Sequence, residues 1–105
     1  MNTATSTITT INFITVPSGE ASVWADGSVI IGNPESSAIH EWQWNKYCFS
    51  VTYKSDKTKT YFYETVTIHE ALGLLTAKSA GKFIAENIKA KHEIAWVAVN
   101  GVVQS

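Results

Sequence analysis

The alternation of apolar and polar positions divides the chain into strand-like segments followed by a helical stretch. In "TITTINFITV" the β-branched residues alternate, with Ile8, then Ile11, Phe13 and Thr15, set against Thr10, Asn12, Ile14 and Val16. That pattern predicts a strand, and Pro17-Ser18-Gly19 predicts the turn that ends it. In "ASVWADGSVIIG" two short apolar runs flank Asp26-Gly27, a pair suited to the positive φ of a tight turn, so a hairpin is predicted there. "NPESS" interrupts the chain again.

Residues 38–54 and 58–67 read as two longer strands around "KSDKTK". The first has a phase conflict. Trp42 and Trp44 share one parity, whereas Tyr47, Phe49, Val51 and Tyr53 share the other. A single strand keeps period two, so the conflict predicts a bulge or bend at Asn45-Lys46, or partial burial of both faces. In the second strand Tyr61 and Tyr63 face one way, and Phe62 and Val66 the other.

The period then changes. Thr67 followed three residues later by Glu70 has the spacing of a capping box. Ile68, Ala71, Leu72 and Leu75 form one helical stripe, and Ala80, Phe83, Ile84 and Ile88 form another. At 100° per residue the two stripes are rotated apart by roughly 130°, so one straight helix cannot bury both. The expectation is two short helices, about 68–77 and 80–91, broken at "TAKSAG" with Ser79 as the second N-cap. "EIAWVAVNG" predicts a final strand returning to the sheet, and Asn100-Gly101 a turn before a short tail. Strands, then helices, then one strand is an α+β order. It predicts a single domain over residues 1–105, with an antiparallel sheet of about five to six strands and both helices on one face. Residues 1–6 are expected to be loosely attached.

Composition changes this picture little. The chain has 105 residues, with 45% hydrophobic and 16% charged, which suits one globular domain. No apolar run approaches the roughly 18 residues of a membrane helix, and "MNTATSTITT" lacks the basic start of a secretory signal. Cys48 is the single cysteine, which rules out an internal disulfide and makes a reducing cytoplasm the simplest setting.

Charge adds more. Residues 1–45 hold four acids and no lysine, for −4, while residues 46–105 hold eight lysines and five acids, for +3. Arginine is absent, which disfavours base-specific DNA recognition and phosphate-handling chemistry while leaving a lysine-based backbone binder open.

The chain has three histidines, and each precedes a glutamate: His40-Glu41, His69-Glu70 and His92-Glu93. Adjacent side chains diverge on a strand or a helix, and no pair has the His-Glu-x-x-His spacing of a zinc helix. A metal-dependent enzyme therefore requires the three pairs to meet in space; local roles in capping and at helix ends account for them without a site. Cys48 in an alternating strand reads as a small packed residue, and the chain carries no nucleophile elbow, phosphate loop or dinucleotide fingerprint. No catalytic residue, cofactor or metal ligand is assigned.

The aromatic and lysine cluster is the strongest candidate. "EWQWNKY" and "YKSDKTKTYFY" bring Trp42, Trp44, Tyr61 and Tyr63 close in sequence to Lys46, Lys57 and Lys59. These seven residues are the candidate partner-binding set. They suit a protein-binding face, since Trp and Tyr dominate interface hot spots. They also suit a surface that stacks single-stranded bases while Lys tracks phosphates. Ordinary cross-strand packing in the core is the third reading. Helices cover only one face of such a sheet, so some aromatic surface is expected on the other. The favoured expectation is a small non-enzymatic protein that binds another protein; its oligomeric state is open and includes a dimer. Small phage-encoded inhibitors of host defence, anti-CRISPR proteins among them, share this general profile by class rather than by motif.

Overall fold

The computed structural model describes residues 10–104. Its framework is one eight-stranded antiparallel sheet in simple sequential order. The strands are β1 (Ile11–Val16), β2 (Gly19–Trp24), β3 (Val29–Pro34), β4 (Ile39–Asn45), β5 (Cys48–Tyr53), β6 (Asp56–Tyr63), β7 (Ile94–Val99) and β8 (Val102–Gln104). Between β6 and β7 lie α1 (Ile68–Thr76) and α2 (Ala80–Phe83), the latter running on into a π-helical stretch over Ile84–Lys89. The α+β class and the antiparallel sheet agree with the sequence reading, but the described residues form eight strands where five to six were expected. The expectation for residues 1–6, and the place of Ile8 in the first strand, lie outside the described residues.

Two hairpin turns account for the extra strands. Asn45 pairs with Cys48, leaving Lys46 and Tyr47 as a two-residue loop in which both φ angles are positive, 46° and 73°. That is the type I′ geometry whose twist matches the flanking strands. It replaces the predicted bulge and splits the segment 38–54 into β4 and β5. It also resolves the phase conflict: across a two-residue loop, even positions pair with odd ones. Trp42 therefore lies opposite Val51 and Trp44 opposite Phe49, all on one face. The second turn is Asn100-Gly101, with φ of 51° and 81°, which folds the expected tail back on β7 as β8. The β2–β3 turn forms at the predicted place. Gly27 has φ 75° and its N–H donates to the Trp24 carbonyl at 2.8 Å, while Asp26 accepts from both the N–H and the hydroxyl of Ser28.

The helices follow the predicted break. The Thr67 hydroxyl accepts from the Glu70 N–H, and the Glu70 carboxylate accepts from the Thr67 N–H at 2.9 Å, completing the capping box. Ser79 caps α2 by accepting from the Lys82 N–H. The first stripe differs by one residue from the prediction: Ala71, Leu74 and Leu75 are buried, while Leu72 faces solvent. Gly73 lets α1 and α2 approach, because a Cβ there would lie 2.8 Å from the Phe83 ring.

Both helices lie on the same side of the sheet. The core joins Ala71, Leu74, Leu75, Ala80, Ile84 and Ile88 to sheet residues that include Ile30, Trp42, Trp44, Phe49, Val51 and Tyr63. Gly32 makes room for Trp42, since a Cβ at that glycine would come within 2.0 Å of the indole ring. The Trp44 indole N–H donates to the Val66 carbonyl at 2.8 Å, tying the start of the helical segment to the sheet. Among the described residues no helix is long and apolar enough to cross a membrane.

Candidate functional site

The burial pattern redistributes the seven residues picked from the sequence. Trp42, Trp44 and Tyr63 are 2%, 5% and 2% exposed, so their side chains are core and cannot form a contact surface in this fold. The physical reason is the Lys46-Tyr47 turn, which puts Trp42, Trp44, Phe49 and Val51 on the helix-covered side together. Tyr61 pairs with Val51 on that same side, is half-buried, and meets Tyr53 edge-on at 5.8 Å between ring centres. Lys46, Lys57 and Lys59 are exposed, but Lys46 occupies the β4–β5 turn whereas Lys57 and Lys59 begin β6 at the opposite end of the sheet. A six-residue strand separates them by about 20 Å, so the aromatic and lysine cluster of the sequence does not gather in space.

A stacked aromatic pair lies on the other face. Phe62 pairs across the β6–β7 ladder with Trp96, and their rings stack at 5.3 Å and 19°. Both are half-buried, on the face opposite the one the helices pack against. Around them the ladders bring Ser50 opposite Phe62 and Thr52 opposite Thr60, whose hydroxyls bond at 3.0 Å. Gln43 stands beside Ser50 on β4. Farther out on the same face, Asn33 donates to Glu41 at 3.4 Å. Trp24, opposite Ile11, is half-buried at the β1 end. At the paired positions of this face the charged side chains are Glu20 and Glu41, and no lysine occupies any of them among the described residues. The face offers an aromatic patch on β6 and β7, neutral hydrogen-bonding groups beside it and carboxylates toward the β1 end. One signal for it was present in the sequence: Phe62 has the opposite parity to Tyr61 and Tyr63. Its partner Trp96 could not be read, because no local pattern says which strand β7 joins.

The histidine–glutamate pairs take separate places. His40 and His69 are not buried in the core, and among the described residues no group of three His, Cys, Asp or Glu side chains is placed to hold a metal ion. The second and third dipeptides do meet, each contributing one residue. The His92 ring nitrogen lies 2.7 Å from the Glu70 Oε2, while Oε1 serves the capping box. Partial burial pulls the Glu70 carboxyl upward, but the Thr67 N–H, the His92 hydrogen bond and the His92 charge together leave it below its ordinary value. Both carboxylate oxygens are thus used in holding the start of α1 to the segment that leads into β7.

Cys48 opens β5 on the uncovered face and is half-buried. Burial, then the nearby Glu64 carboxylate, push its thiol above the ordinary range, so it is protonated at neutral pH and a weak nucleophile. Comparison with protein-family models, with curated proteins and with solved structures returns no match.

Proposed function

We propose that this is a non-enzymatic protein-binding module whose contact surface is the uncovered face of the sheet, centred on Phe62 and Trp96. One observation carries the reading: a stacked aromatic pair held half-exposed on the β6–β7 ladder, among hydroxyls and amides, while Trp42, Trp44, Phe49 and Tyr63 are buried in the core. Aromatic anchors ringed by neutral polar groups are the usual make-up of an interface centre, from which charged residues are depleted. The absence of lysine from the paired positions of this face, among the described residues, favours a protein over a single-stranded nucleic acid, whose phosphates need cations beside the stacking rings. Within this reading the proposed partner class is a component of a host defence complex, by analogy with the general profile of small phage-encoded inhibitors of the anti-CRISPR kind and not by a motif.

The test begins with identification of the partner by crosslinking and mass spectrometry in the native host. The affinities of wild type, Phe62→Ala, Trp96→Ala and a distant exposed control, Leu72→Ala, are then compared by titration calorimetry. Loss of tenfold or more at Phe62 or Trp96 with the control unchanged is expected, since hot-spot truncations cost about 2 kcal/mol or more. Unchanged affinity at both aromatic positions sinks the assignment.

A further inference from the structure

Among the described residues the sheet does not close and β1 is a free edge, which lacks the usual protections of one. Ile11–Val16 contains no charge, no proline and no bulge, and its ladder to β2 is regular throughout. Phe13 is 82% exposed, the highest value among the exposed large hydrophobic residues, and Ile11 and Ile14 are exposed beside it. The hydrogen bonding fixes which groups of this strand are free. The Ala25 N–H donates to the Thr10 carbonyl, in register with the pair Ile11–Trp24. Antiparallel pairs alternate, so Asn12, Ile14 and Val16 turn their backbone groups toward β2, and Ile11, Phe13 and Thr15 turn theirs outward. An outward row of N–H and C=O groups is completed by another extended strand and by nothing helical.

We propose that the occupant of this edge is a second copy of the chain, its β1 running antiparallel to the first about a two-fold axis at Phe13. This register places Phe13 opposite Phe13 and Ile11 opposite Thr15 in both directions, and three such pairs exchange about six backbone hydrogen bonds. The Phe13 rings then form a cross-strand aromatic pair. Each Ile11 arrives beside a groove of about 230 Å³, lined on the same face by Phe13, Thr15, Glu20, Ser22 and Asn33 and reaching Ile14 and Ala21. Like meets like without electrostatic cost, because no residue from Thr10 to Gly19 is charged. The contact is isologous and closes as a dimer, whereas joining β1 to the other free edge, the three-residue β8, would be head-to-tail and open-ended. A one-strand seam is small, so the dimer is of moderate strength, on the order of micromolar. Two protomers joined this way present their uncovered faces side by side as one continuous sheet.

The experiment measures molar mass by light scattering from about 1 to about 500 micromolar, a range that brackets such a dissociation constant. It uses wild type, Phe13→Lys, Phe13→Glu and an equimolar mixture of the two variants, with circular dichroism as the check on folding. Phe13 lies outside the core, so neither variant removes core packing. Wild type is expected to double in mass with concentration, each variant to weaken association at least tenfold, and the mixture to recover it through the Lys–Glu pair at the axis. Hydrogen exchange supplies the second readout: amides of Phe13 and Thr15 gain protection with concentration in wild type, while Asn12 and Ile14 do not change. A wild-type monomer at every concentration overturns the proposal, whether the edge is bare or covered by another part of the chain. Dimers that persist unchanged in both charge variants also overturn it.

Discussion

At the scale of single residues, the tryptophans show how one turn decides a role. Trp42 stacks on Phe49 at 6.0 Å and occupies the space that Gly32 leaves above the sheet. Trp42→Ala removes the largest fully buried side chain of the core and should cost about 3 to 5 kcal/mol, read as a lower midpoint in urea. Gly32→Ala should destabilise from the other side of the same contact, because the backbone beneath the indole cannot withdraw to make room for a methyl. Loss of partner binding in either variant then reports unfolding and says nothing about an interface. Glu70 makes a separate prediction through pH. Its folded-state pKa is depressed, so its contribution is complete above the ordinary glutamate range and is lost as pH falls through that range and then through the lowered folded value. Glu70→Gln keeps a capping-box side chain but removes the charge that His92 meets. Thermal melts from about pH 5 down to about pH 3 should therefore show a steeper loss of stability in wild type than in Glu70→Gln. Parallel pH profiles would mean that the Glu70–His92 contact adds no charge-dependent stability.

At the scale of elements, the β4–β5 hairpin carries a cost that its sequence did not announce. Type I′ turns favour Asn-Gly because both central residues need positive φ, and Lys46 and Tyr47 adopt that geometry with full side chains. Single residues in this region cost on the order of 1 kcal/mol each. The turn is kept in place from outside: the Tyr47 carbonyl accepts from the Val66 N–H at 2.9 Å, and the Tyr47 ring meets Trp44 edge-on at 6.4 Å. The double substitution Lys46→Asn with Tyr47→Gly installs the favoured turn sequence. It should raise stability by about 1 kcal/mol, after loss of the ring contact is set against relief of the backbone. A lowered urea midpoint in the double variant would show that the Tyr47 contact outweighs the strain. This hairpin also marks the limit of what the sequence made legible. The helix break at residues 77–79 could be read because two apolar stripes conflict within one window, and the caps at Thr67 and Ser79 are local signals. The Asn100-Gly101 turn was visible, and only the pairing of the three residues after it was missed. Lys46-Tyr47 has no turn chemistry of its own, so its sole trace was the parity conflict between Trp44 and Phe49. A bulge explains that conflict as well as a turn does. The turn is selected by long-range contacts with Val66 and by burial of both tryptophans against the helices, neither of which any local window contains.

At the scale of the whole molecule, the charge split of the sequence is laid over a flat slab 48 × 35 × 23 Å in extent. Strands β1 to β4 carry the acidic half, and the lysines follow later, on turns, on the helices and on the helix side of β6, where Lys59 pairs opposite Val99. Lys89 lies over the Tyr53 ring at 5.7 Å, again on the helix side. The uncovered face is thus aromatic and weakly acidic, although the chain as a whole is close to neutral. A single-stranded oligonucleotide laid on Phe62 and Trp96 would place its phosphates near Glu41 and away from any lysine of a paired strand position. Protein and nucleic-acid partners therefore separate in one measurement. Trp96, on β7, is the reporter toward the β8 end of that face and Trp24 the one toward its β1 end, while Trp42 and Trp44 are shielded in the core. Oligo-dT at low salt should leave the tryptophan emission unchanged. Acrylamide should quench a component that is reduced in Trp96→Phe. Quenching by oligo-dT that is lost in Trp96→Phe and falls steeply with added salt would be the signature of counterion release at a stacking surface. That result would replace the protein-binding assignment with a nucleic-acid one on the same two side chains, with phosphate contacts drawn from lysines beyond the paired strand positions.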